Sequence, residues 1–170
     1  MHPPALKTSK QAFTFVEAVF TIAIIGIMAA LAVSAISNGA RDANRIVARQ
    51  QQAAVQEAVN AWVMSQSRVR STVNGEETAQ IQTLSAIRTI YNALPTTSAR
   101  FEKLRPDLQN PDPNKRAGFL DSATIEHFDE YKDKAGTDKL ISAALYGAKQ
   151  YLTLPAWQDN DMPRVELVNE

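Results

Sequence analysis

Three features of the sequence predict a mainly α fold with a small α+β head. Residues Phe13 to Ile36 carry a single charge, Glu17, in a run of 24. No proline falls between Pro4 and Pro95, and good helix formers continue beyond the apolar run with amphipathic spacing. Only VELV at 165–168, with YLTL at 151–154, reads as strand. The prediction is one long N-terminal helix over residues 13–73, its C-terminal half packed on a small, mostly helical head with a short C-terminal β element.

Each element has its own signal. Residues 1–12, MHPPALKTSKQA, combine prolines, lysines and small polar residues without helical periodicity, and read as a leader. As a helix, residues 13–36 extend about 36 Å against about 30 Å of bilayer hydrocarbon, so this segment is long enough to cross a membrane. From 37 to 73 the chain forms an amphipathic stem on which Val47, Ala54, Val55, Ala58, Trp62 and Val69 share a side, with Arg45, Arg49, Gln52 and Glu57 largely elsewhere. Trp62 lies on that apolar stripe and is expected to anchor stem to head. Asn74-Gly75 supplies a helix stop, since glycine adopts the left-handed conformation at little cost.

The head occupies 74–170. Ile81, Leu84, Ile87, Ile90, Tyr91 and Leu94 predict a second helix, ended by Pro95. Residues 95–118 hold four of the eight prolines and read as loop, with a turn of helix near Ala99–Leu104. DSATIEHFDEYKD and TDKLISAALYGAKQYL each open on a capping residue, Asp121 or Ser122 and Thr137 or Asp138, and predict two more short helices.

Charge is distributed unevenly: +1 over 1–36, +3 over 37–73, and eleven basic against fifteen acidic side chains over 74–170. No basic face carries interleaved aromatics, so nucleic acid is not expected as the main partner. Cysteine is absent, which removes disulfides and thiolate chemistry. His127 is the single histidine outside the leader and no Gly-rich phosphate loop occurs, so neither an enzyme nor a cofactor site is expected. Glu126, His127, Asp129 and Glu130 read as a solvated helix face rather than metal ligands. Asp159, Asn160 and Asp161 offer oxygen donors for calcium, but three neighbours fall short of the six or more that the ion takes, and the stretch reads as an Asx-rich turn.

The front of the chain resembles the prepilin N-terminus shared by type IV pilins and type II secretion pseudopilins. The resemblance covers residues 7–36: a short basic leader ending in Ala12, then Phe13-Thr14-Phe15-Val16-Glu17 and AIIGIMAALAV. It implies cleavage by a prepilin peptidase between Ala12 and Phe13, methylation of the new amine, and assembly through the helix, with Phe13 and Glu17 as the pairing groups. In that family the carboxylate is thought to meet the amine of a neighbouring subunit. An isolated carboxylate in hydrocarbon costs roughly 2.5–3.5 kcal/mol even on permissive scales, so Glu17 needs a partner. The implied partners are other pilin-like subunits, self or minor pseudopilins, with an inner-membrane assembly platform and the lipid bilayer. The implied location is the bacterial inner membrane, single-pass, N-terminus cytoplasmic and head periplasmic or extracellular, and then the filament. Gly26, Ala29 and Ala30, with other small residues, allow neighbouring helices to approach closely. Ala12 stands where the family usually has glycine; the apolar helix lacks a proline, and no disulfide can form, which points towards a pseudopilin or minor subunit.

Two alternatives stand beside this. Val33-Ser34-Ala35 permits signal-peptide cleavage after Ala35, giving a secreted soluble domain. A bitopic membrane-anchored enzyme or binding protein is the other. Arg41, Arg45 and Arg49 recur every four residues beyond the apolar run, where anionic headgroups, acidic groups on adjacent subunits or water alone can meet them. Three arginines follow the segment and two lysines precede it, so charge does not establish orientation.

Overall fold

A computed structural model describes residues 14–73, 76–109, 117–158 and 161–170. Helix α1 runs Phe15–Gln66 and is followed by the strands β1 (Arg68–Val73) and β2 (Glu76–Ile81). Helices α2 (Leu84–Asn92), α3 (Thr97–Glu102), α4 (Ser122–Asp129), α5 (Lys132–Ala135) and α6 (Ala143–Ala148) come next, then β3 (Gln150–Thr153) and β4 (Glu166–Asn169). The protein is thus mainly helical, with one long N-terminal helix and a small C-terminal antiparallel sheet. The chain divides into two compact units, 1–40 and 41–170, and α1 contributes to both.

In the second unit the core lies along one face of α1. Ala48, Val55, Ala58, Val59, Trp62 and Val63 are buried there, against Ile87 and Tyr91 of α2, Phe101 of α3, Phe128 of α4, Leu145 of α6 and Leu152 of β3. Val47, expected on this stripe, is instead 39% exposed, and Gln52 is half-buried. Gln52 is drawn inward because its Nε2 donates to the Val165 carbonyl at 2.8 Å. Gln56 does more: Nε2 donates to Pro163 O at 2.9 Å while Oε1 accepts from Val165 N–H at 2.8 Å. Gln51 Oε1 accepts from Ser142 Oγ at 2.6 Å. Gln52 and Gln56 therefore satisfy backbone groups of Pro163 and Val165, which lie just outside β4.

The stem helix ends at Gln66 rather than Val73, and 76–81 is strand rather than the start of the second helix. β1 and β2 pair antiparallel with Val73 opposite Glu76, so the chain is already strand where the helix is expected to run on to Val73; Asn74-Gly75, the expected helix stop, lies outside the described residues. Val69, Thr72, Val73 and Thr78 are β-branched, a composition that favours strand over helix in 68–81. α2 starts at Leu84, where Thr83 Oγ1 accepts from Ala86 N–H. Asp121 caps α4 as expected, its carboxylate accepting from Thr124 N–H at 2.7 Å.

The helix expected from Thr137 begins at Ala143 instead, capped by Ser142. Leu140 is engaged in a β-bridge with Leu152, which holds 137–141 out of the helix, and Lys149 in the left-handed conformation (φ 56°) ends α6 before β3. β3 and β4 pair antiparallel, with Leu152 opposite Leu167.

Candidate functional site

The candidate site is the front of α1. Thr14 closes the helix start: Glu17 N–H donates to Thr14 Oγ1 at 3.3 Å and Ala18 N–H to Thr14 O at 3.1 Å. Thr14-Phe15-Val16-Glu17 has the spacing of a capping box, and its hydroxyl half is formed. Glu17 thus sits in the first turn, exposed to solvent, where free N–H groups and the helix dipole favour a negative charge. Thr21 Oγ1 donates back to Glu17 O at 2.7 Å, so this hydroxyl is satisfied within the helix and does not burden an apolar environment.

Beyond that turn, every residue of α1 from Val19 to Ile36 is exposed among the described residues. Phe15, Val16, Phe20, Ile22, Leu31 and Ile36 are each at least 66% exposed. By length and composition the segment suits a membrane span, and none of its most apolar stretch is buried. Gly26 has no atom within 4 Å of where a Cβ would stand, and Ala29 and Ala30 are exposed. These small residues are free to meet another helix. Ala12 and Phe13, the expected processing pair, lie outside the described residues.

Within the head, two polar clusters stand out. Arg105 grips Asp129 with both guanidinium nitrogens, at 2.8 and 2.6 Å, and Glu102 at 3.2 Å; Lys132 reaches Glu102 at 3.4 Å. They line one side of a shallow open groove that Phe101 and Phe128 also line, their rings meeting edge to face. The Asp129 hydrogen bond above all raises the Arg105 pKa further. Cations and carboxylates here neutralise one another, so the arrangement is a structural tie.

The second cluster is one that sequence reasoning missed. Tyr91 packs between Trp62 (5.9 Å, tilted) and Trp157 (6.3 Å, edge to face), with the Arg100 guanidinium 5.2 Å from its ring. Arg100 is buried and donates to Leu154 O at 2.6 Å. Burial pushes the Tyr91 phenol up to about 12, against the lowering pull of Arg100. No residue spacing announces an arginine inside an aromatic core.

Among the described residues no cluster of three or more His, Asp or Glu is placed to hold a metal. Asp129, from the acidic stretch around His127, is committed to Arg105. Asp161 is exposed; its carbonyl accepts from Trp157 Nε1 and its carboxylate lies 3.5 Å from Arg164, while Asp159 is outside the described residues. No protein-family model matches the chain, and no curated protein and no solved structure shows significant similarity to it.

Proposed function

We propose that this chain is a pilin-like structural subunit, cleaved between Ala12 and Phe13, held in a membrane by α1 and assembled through it into a type II secretion pseudopilus or type IV pilus-like filament. The observation that carries the reading is the fully exposed apolar front of α1 with Glu17 as its one charge, already placed in the first helical turn. Such a surface is costly in water at roughly 25 cal/mol per Å² and needs either lipid or copies of itself. In the filament, apolar halves bundle as the core and exchange lipid for protein contacts, with Gly26, Ala29 and Ala30 permitting close approach. Glu17 meets the amine of Phe13 on a neighbouring subunit and sets the register. The prepilin peptidase and an inner-membrane assembly platform are the partners this requires; the protein itself catalyses nothing.

N-terminal sequencing with intact mass, on protein recovered from membranes of the native host, tests the reading. A chain beginning at methylated Phe13 supports it. One beginning at Ile36 makes the protein an exported soluble domain, and an uncut chain makes it a simple anchor. Glu17→Ala is expected to leave membrane insertion intact and to abolish incorporation into filaments; normal incorporation removes the assembly role of the carboxylate.

A further inference from the structure

The head has two distinct ends along its stretch of α1. At one, Trp62 packs on Tyr91 of α2. At the other, where the chain enters the head, α6 lies so close to α1 that a Cβ on Gly147 would run into the Asn44 side-chain amide. This entry end is where tyrosines and cations gather. Tyr146, beside Gly147, is 58% exposed and pairs with Tyr131 at 6.1 Å, and Lys134 Nζ lies 5.0 and 5.3 Å from the two rings. Arg41 and Arg45 flank Asn44 on α1, with Arg49 one turn further on; all three are exposed. Asp42, 3.6 Å from Arg45 and equally solvated, partly offsets them, as do Asp133 and Glu170 near Lys134 and Lys149.

We propose that this entry end of the head is a lipid-surface contact selective for anionic headgroups. The inference rests on the membrane reading above. Tyrosine is the residue type that settles with its ring at the headgroup level and its hydroxyl in water, and lysine and arginine stems lie along apolar surface while their charges reach phosphate. Arg41, Arg45 and Arg49 rise about 12 Å along the helix within one 80° arc, so Arg41 meets headgroups directly and the other two fall within or near a Debye length of them. An anionic surface therefore favours the head lying down on the bilayer, and a neutral one leaves it free.

The chain has no cysteine, so one reporter can be placed at will. Full-length protein carrying Ala143→Cys, at the start of α6, or Ser85→Cys, on α2 beside the far end, is labelled with a fluorophore and reconstituted into vesicles of phosphatidylcholine with or without phosphatidylglycerol. Nitroxide-headgroup lipids then quench whatever approaches the surface. Quenching at residue 143 is expected to exceed that at 85 severalfold, only with phosphatidylglycerol, and to fade in high salt. Arg41→Gln with Arg45→Gln weakens the association on the order of fivefold for each cation removed. Equal quenching in both lipids, or quenching indifferent to the substitutions, overturns the proposal and leaves the arginines to an acidic face of another copy. Failure to float with either vesicle sinks the membrane reading itself, which is a separate outcome.

Discussion

The two parts of α1 are built from similar helix-forming residues and end in opposite surroundings. Leu31 in the front is 68% exposed, whereas Trp62 in the rear is 5% exposed and touches the aromatic centre of the head. Apolar content alone does not distinguish a core from an anchor; what decides is whether the polar residues of the same helix find partners. In the rear, Gln51, Gln52 and Gln56 make side-chain bonds to the head, which draws that face inward. The front offers Glu17 and hydroxyls that turn back on the helix itself, so its apolar face stays available for another molecule.

Substitution separates the two parts most sharply. Trp62→Ala is expected to cost about 3–5 kcal/mol and to lower the melting temperature of the detergent-solubilised protein strongly. Leu31→Ala should change it by no more than about 0.5 kcal/mol. A similar loss from both would mean that the front is part of the folded core after all.

Next in size is alkaline pH. Tyr91 ionises near 10 when unfolded and near 12 in the native head, so the unfolded chain loses its proton first and stability falls as pH rises from 10 towards 12. The loss is on the order of 2 kcal/mol, and Tyr91→Phe should remove that pH slope in denaturant titrations followed by Trp fluorescence. The smallest effect belongs to Asp121, whose pKa the Thr124 hydrogen bonds lower. Asp121→Ala should cost about 1 kcal/mol above the usual aspartate range, and progressively less as pH falls through it and protonation removes the cap from the parent too.

Much of this was legible in the sequence. The long helix, the Asp121 cap and the β4 segment follow from period, capping chemistry and β-branching that act over a few residues. The pairing of β1 with β2 did not, because Asn-Gly in a sequence reads as a helix stop as readily as a turn, and the strands are set by cross-strand pairing. Gln52 reads as a solvent-facing residue until the backbone of Val165 arrives to use it, and the burial of Arg100 depends on the Tyr91 ring and the distant Leu154 carbonyl. Of the candidate site, the apolar run with Glu17 was plain from composition; outside it, the Tyr131–Lys134–Tyr146 cluster depends on where α5 and α6 fold back.

The glutamine ties also set an order of events. Gln52 and Gln56 wait for Pro163 and Val165, partners 107 to 113 residues later in the chain. Contacts of such long separation form late in folding, because loop closure must precede any gain from them. The amides of Gln52 and Gln56 therefore stay without their final partners until the last residues of the head are made, and the stem face that carries them is completed only at the end of synthesis.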